Sequence, residues 1–285
     1  MIKSILVPTD FSKNANNAVD YAIELGKREE TKIILLHAYY IETISPEVPL
    51  QFIDEQLNSV EQASKEKLSE LCVKINKQVK VKCEIINKEG LAADLILEMS
   101  EKRKPDFIIM GTSGESGIVD KLLGNVAAMV IEKSILPVIA VPEKTKFAGI
   151  NHITFATDYD SSDVKALKKL VDIAALFNAK ITLLHAADNE FTDESEEEYM
   201  AKYRCKIRDK ISYDKIEYKI VYGTNLVEVL EEYIIHESPD LFAMLTHFRS
   251  LYEKLFGKSY TQKIAYKSKV PVMAFHYNPE LANFI

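Results

Sequence analysis

Long apolar runs are missing from this sequence. None approaches the roughly 18 residues that a membrane span requires, which excludes a helical membrane protein. A basic excess is missing too. Lys and Arg number 36 against 43 Asp and Glu, leaving a net charge of −7. With no basic cluster to neutralise phosphates, nucleic acid and anionic membrane surfaces are excluded as main partners. Cysteine is scarce: Cys72, Cys83 and Cys205 are scattered, odd in number and without metal-ligand spacing. That usage points to a reduced, cytoplasmic compartment. The opening MIKSILVPTD holds an apolar run too short for a signal peptide, ended by Pro8 and Asp10, so no leader is expected. Glycine is sparse, nine in all, yet four fall within MGTSGESGIVDKLLGNVAAMVIEK, residues 110–133.

What is present is an ordinary globular composition, 47% apolar and 28% charged, over 285 residues. That length suits about two domains, each able to bury its own core. Self-similarity supports the division. Ser4-Ile-Leu-Val-Pro-Thr-Asp10 recurs as His152-Ile-Thr-Phe-Ala-Thr-Asp158, and Leu35-Leu-His-Ala38 as Leu183-Leu-His-Ala186, at one offset of 148. Pro-Asp-Phe-Ile-Ile-Met110 recurs as Pro-Asp-Leu-Phe-Ala-Met244, and Leu136-Pro-Val-Ile-Ala140 as Val270-Pro-Val-Met-Ala274, at an offset of 134. The second copy is therefore about fourteen residues shorter, with the loss between its second and fourth strands. So long a period means a duplicated domain rather than a solenoid. The expected domains are 1–144 and 145–285, joined through the polar, non-periodic stretch 143–151.

Within the first copy, short and nearly continuous apolar runs at 5–7, 33–37, 79–86, 107–110 and 138–141 suit strands of a parallel sheet covered on both faces. Ala15, Ala18, Val19, Ala22 and Ile23 make one apolar helical stripe, with Ser12 as N-cap. Ala166, Leu167, Leu170, Val171 and Ala174 repeat it. Further helices are expected over 51–76, 92–103 and 125–132. Alternating strands and helices predict a doubly wound α/β fold, a five-stranded parallel sheet in each copy with helices on both faces. In such sheets ligands sit outside the carboxyl ends of the strands, where the order reverses. Asp10, Ala38 and Gly111 all follow strand ends and should converge there.

The pattern Gly111-x2-Gly114-x9-Gly124-Asn125 resembles the Gly-x2-Gly-x9-Gly-(Ser/Thr) loop of ATP-binding universal stress proteins. The opening Leu6-Val-Pro-Thr-Asp-Phe-Ser12 and the Pro137-Val138 pair resemble the same family, and the likeness covers both copies. It implies a site for ATP, alone or with Mg2+. Pro8, Thr9 and Asp10 would face the ribose and phosphate side, and the backbone of Ala38 the adenine. Met110, Gly111, Gly114, Gly124, Asn125 and Val126 would surround ribose and phosphates. Physically, glycine permits positive φ and close approach of N–H groups to an anion, and a helix N-terminus favours negative charge. Asn125 departs from the family's Ser or Thr; it caps a helix equally well and its amide can still donate.

The second copy places Leu245 and Phe248 where the first has Gly111 and Gly114, and it keeps only Gly257-Lys258-Ser259 of the helix entry. Side chains there penalise positive φ and fill the phosphate space. This half is expected to have lost nucleotide binding, leaving Asp158 a local capping role. His37 and His185, each ending a second strand, are expected to be packed histidines bonded to a neighbouring loop. His247 with Asp158 falls short of a zinc ligand set. The acidic stretch 188–198 reads as a solvated entry to a helix, and 39–49 as a loop beside the site.

No Ser-Gly-Gly-x-Asp-Ser loop, His-x-Gly-His, Gly-x-Ser-x-Gly elbow, zincin motif or Walker lysine occurs, so an enzyme is not expected. The expectation is a regulatory protein that binds an adenine nucleotide and answers to a protein partner. Its halves would pair through their last strands, and a homodimer is a further expectation. Two other readings stay open: a structural or interaction protein that binds no nucleotide, and a weak ATPase.

Overall fold

The structure is a computed structural model and describes residues 2–40, 50–78, 81–112, 124–160, 162–188, 193–245 and 269–276. These fall into two compact units, one ending at Glu143 and the other beginning at Lys144.

The first unit runs β1 (Ser4–Pro8), α1 (Lys13–Gly26), β2 (Thr31–Tyr39), α2 (Leu50–Asn76), β3 (Val81–Glu89), α3 (Ala92–Arg103), β4 (Phe107–Gly111), α4 (Asn125–Lys133) and β5 (Val138–Val141). Its strands lie in the order β3-β2-β1-β4-β5, all parallel, with Ile5 opposite Ile33 on one side and Phe107 on the other. The chain steps one way from β1 to β3 and the other way from β4 to β5. Right-handed crossovers then put α1 and α2 on one face and α3 and α4 on the other. Burial on both faces explains why the strands read as unbroken apolar runs. Ile5, Leu6 and Val7, like Ile33 to Leu36, are fully enclosed. Ser12 caps α1 by accepting from the Ala15 N–H at 3.1 Å.

The second unit repeats the plan with β6 (His152–Ala156), α5 (Asp163–Phe177), β7 (Lys180–Ala187), α6 (Asp193–Lys210), β8 (Ile216–Tyr222), α7 (Leu226–Glu237), β9 (Leu241–Leu245) and β10 (Val272–Phe275). Its order is β10-β9-β6-β7-β8. The missing residues come chiefly out of the second helix, 27 residues in α2 against 18 in α6. Even backbone strain is duplicated: Phe11 and Tyr159 stand at φ 65° and 63°, Lys104 and Ser238 at 47° and 43°.

The scattered cysteines are corrected by the fold. Cys72 near the end of α2 and Cys83 at the start of β3 are joined in a disulfide, with Cα atoms 5.4 Å apart, and Cys205 is free and exposed. Spacing in sequence hid the pair because the α2–β3 turn brings positions 72 and 83 side by side. Cysteine usage therefore gives no ground for a reducing compartment. Closing so short a loop should contribute about 2 to 3 kcal/mol. Cys72→Ser is expected to lower the urea midpoint of the first unit and to abolish the difference between oxidised and reduced protein. Equal midpoints for wild type under both conditions would refute that contribution. Among the described residues no helix is long and apolar enough to cross a membrane.

Candidate functional site

β1 lies between β2 and β4, so the order reverses beside β1, and its carboxyl end borders the crevice where such folds take ligands. Three segments meet there.

The first is the turn after β1. Thr9 donates its N–H to the Leu36 carbonyl at 2.9 Å. Thr9 Oγ1 accepts from the Phe11 N–H, and Asp10 Oδ1 from the Ser12 N–H, each at 3.0 Å. These bonds hold Phe11 in the left-handed region, which a residue with a Cβ seldom adopts. His37 completes the buckle: its ring lies 4.5 Å from that of Phe11, and Nδ1 donates to the Thr9 carbonyl at 2.7 Å. This is the packed histidine that the strand-end position implied.

The second is the end of β2. Tyr39 accepts from the Gly90 N–H on the β3 side, whereas Leu36 serves Thr9 on the β1 side. Backbone direction alternates along a strand, so Ala38 aims its N–H and C=O toward β1, beyond Pro8 where that strand has ended. With the Thr9 carbonyl taken by His37, the Ala38 amide edge is well placed for a planar heterocycle.

The third is the end of β4. A Cβ on Gly111 would come within 2.9 Å of Asn14 Cγ and 3.1 Å of the Asn14 backbone carbonyl carbon. Glycine is required here by the approach of α1, not by an unusual φ. Gly124 is likewise ordinary, at φ −66°, ψ 153°. The expectation that these two glycines serve positive φ is thus corrected; at this site the positive φ belongs to Phe11. Gly124 donates its N–H to the Thr112 carbonyl at 2.6 Å, which fixes the N-terminus of α4 against the end of β4. The Gly124 N-cap offers no side chain to the first turn of that helix.

Asp10, Ala38, Gly111 and Gly124 are half-buried, and Asn125 and Val126 are exposed. Pro8 is half-buried, while Thr9 and Met110 turn their side chains inward, and the Thr9 N–H and carbonyl are already engaged by Leu36 and His37. Gly114 lies outside the described residues, as do Phe248, His247, Gly257 to Ser259, 41–49 and part of the acidic stretch. Sequence reading missed Asn14 and Thr112. Asn14 Nδ2 donates to Thr112 Oγ1 at 3.3 Å, and both residues are buried. The available signal was a polar residue four positions before Ala18, on the apolar stripe of α1.

The second unit keeps the buckle and fills its surroundings. His185 Nδ1 donates to the Thr157 carbonyl at 2.8 Å and the ring stacks on Tyr159, centroids 4.1 Å apart. Its two nitrogens also face carboxylates, Asp158 at 3.7 Å and Glu196 at 3.4 Å. Two residues past Asp158, Asp160 Oδ1 accepts from the Ser162 N–H at 2.7 Å. Asp163 stands where the first unit has Ala15 and is fully buried. Oδ2 accepts from Thr157 Oγ1 and, at 2.8 Å, from the Tyr203 hydroxyl; Oδ1 has no hydrogen bond among the described residues. Burial pushes this carboxyl up to about 7, with the two hydrogen bonds opposing and Asp160 and Asp158 adding to the rise. Burial likewise raises the Tyr203 and Tyr159 hydroxyls. Leu245 is buried at the Gly111 position, and Ser162 replaces Asn14. Among the described residues no group of three or more His, Cys, Asp or Glu could hold a metal ion.

The sequence model of the universal stress protein family matches residues 1–142 and again 149–276. The chain belongs to that family. Universal stress protein MJ0531 of Methanocaldococcus jannaschii is 33% identical over 152 residues, 51% of this chain and 85% of its own. Universal stress protein MJ0577 of the same organism is 32% identical over 161 residues, 50% of this chain and 97% of its own. Each is similar to one of the two tandem family domains. A universal stress protein from Archaeoglobus fulgidus matches almost end to end, covering 96% of this chain and 98% of its own. Its TM-score is 0.74, and at 19% identity it shows a shared fold.

Proposed function

We propose that this universal stress protein is a non-enzymatic regulator. Its first unit binds an adenine nucleotide, ATP alone or with Mg2+, and its second unit does not. The observation that carries the reading is the α4 N-terminus, fixed beside the end of β4 by the Gly124–Thr112 bond, with an N-cap, Gly124, that has no side chain to occupy it. N–H groups and the positive end of the helix dipole are what a phosphate recognises. Asp10 stands across the crevice to accept from ribose hydroxyls, and Ala38 presents amide backbone to the adenine edge. Gly111 and the Gly124-Asn125 step give the phosphates access. In the second unit Leu245 takes the Gly111 position.

The test is titration calorimetry of the full chain with ATP and MgCl2, expecting one site per chain. Val126→Glu separates ligand from fold. An acidic residue in the first turn favours the helix dipole, so stability should hold or rise slightly, while repulsion of the phosphates should weaken binding at least tenfold. Absence of binding at millimolar ATP would overturn the reading and leave a protein that acts through its surfaces alone.

A further inference from the structure

The second unit carries a groove that the nucleotide reading does not use. It lies between α6 and β8, about 580 Å³ in volume, with a floor of Ile207, Ile211, Ile216 and Tyr218 and with Arg204 and Arg208 along one wall. Its other edge is the outermost strand, since among the described residues β8 ends the sheet order and pairs with β7 alone. Lys215 accepts from Ile181, and Gly223 donates to Ala187. Odd-numbered positions of β8 therefore face β7, and the backbone groups of Ile216, Tyr218 and Ile220 point outward, the first two of these residues lining the groove. No strand of the described residues pairs with them.

The corresponding place in the first unit is closed. Ile33 and Ile181 are equivalent, and their partners Cys83 and Ile216 hold the same register position. Cys83 is tied to α2 by the disulfide, and its outward N–H is capped by Asn76 Oδ1 at 2.9 Å. In the second unit the position is an isoleucine on the groove floor, and no described strand covers the edge.

The charges along the groove select the occupant. Glu217 is paired with Lys180 at 3.1 Å, and Asp214 sits at the turn beside Tyr213. Arg204 and Arg208 are exposed and form no ion pair among the described residues. The Arg204 guanidinium lies over the Tyr218 ring, 4.7 Å from its centroid. Stacking orients that plane and leaves its in-plane N–H donors for a carboxylate. The two arginines are one helical turn apart, about 6 Å of rise. Alternate residues of an extended chain are spaced about 6.6 Å.

We propose that this groove binds an extended acidic peptide segment of a partner protein as an added strand on β8. The peptide backbone pairs with Ile216, Tyr218 and Ile220, and two acidic side chains at alternate positions meet Arg204 and Arg208. The intervening side chains point to the opposite face.

The test uses the full chain and a fluorescein-labelled, end-capped heptapeptide, Thr-Val-Glu-Val-Glu-Val-Thr. Two control peptides accompany it, one with Lys for Glu and one N-methylated on alternate backbone amides. Fluorescence anisotropy should show saturable binding of the first peptide and at least tenfold weaker binding of both controls. Arg204→Gln with Arg208→Gln, both exposed and verified as folded by circular dichroism, should also cost at least tenfold. Equal binding of the N-methylated peptide, or full competition by millimolar inorganic phosphate, would reduce the groove to an anion site and overturn the proposal. Sedimentation that reveals a dimer abolished by the double variant would make a second copy the occupant and overturn it too.

Discussion

Asp163→Asn is expected to stabilise the second unit at neutral and alkaline pH, by an amount that grows between about pH 4 and about pH 7 and is constant above. The wild-type carboxyl titrates at about 7 when folded, against an ordinary value of 3.8. Below about pH 4 both folded and unfolded chains hold the proton. Between about pH 4 and pH 7 the unfolded chain releases it while the folded chain keeps it, so each pH unit favours unfolding by about 1.4 kcal/mol. Above about pH 7 both states are ionised and the loss stays constant, on the order of 4 kcal/mol. The groups facing Asp163 are Thr157, Tyr203, Asp160 and Asp158, and none of them supplies a positive charge. Asparagine has the same shape and no charge to bury. It leaves amide hydrogens that need acceptors, which costs about 1 to 3 kcal/mol at any pH. The pH slope is therefore the readout. Unfolding free energies from urea titrations followed by hydrogen exchange in α5 and β7 should separate by about 3 kcal/mol more at pH 8 than at pH 5. Parallel pH curves for the two proteins would show that Asp163 is not held protonated.

Gly111→Leu should destabilise the first unit, although it only copies what the second unit carries at Leu245. The new Cβ lands 2.9 Å from Asn14 Cγ and 3.1 Å from the Asn14 backbone, so α1 must move off β4 and the Asn14–Thr112 bond is lost. Overpacking of this kind costs about 3 kcal/mol or more when backbone has to shift. It also deforms the mouth proposed for the nucleotide, so ATP binding should disappear. The second unit tolerates leucine with Ser162 in place of Asn14. Asn14→Ser in the Gly111→Leu background should therefore recover part of the stability, a coupling that a double-mutant cycle measures. Recovery is partial because the backbone contact remains. An unchanged melting temperature for Gly111→Leu would mean that α1 does not rest on this glycine.

Much of the architecture could be read from the residues. Alternating apolar runs and stripes placed the strands and helices because both faces of the sheet are covered, so side-chain pattern and element type coincide. The repeat Leu35-Leu-His-Ala38 marked the buckle in both units, since the Nδ1 bond from His37 or His185 to the turn after the first strand is local to the fold plan. Asp10, Ala38, Gly111 and Gly124 were legible as strand-end or helix-entry positions for the same reason. Their reasons for being what they are were only partly legible. Gly111 is glycine because of Asn14, some 97 positions away in sequence.

By itself, then, the amino-acid sequence determined the duplication, the parallel α/β class, the family and the asymmetry between a glycine-rich first half and a filled second half. Those properties follow from local periodicity and from comparing the chain with itself. Only the tertiary structure decided that Cys72 meets Cys83 and that Asp163 loses its solvent beneath Tyr203. It alone decided that, among the described residues, no strand or acidic partner meets the edge of β8 and Arg204 and Arg208, where the edge of β3 is clasped. Each of these depends on which side chains the packing of separate elements brings within a few ångströms. Burial and charge pairing are set by that distance, which spacing along the chain does not encode.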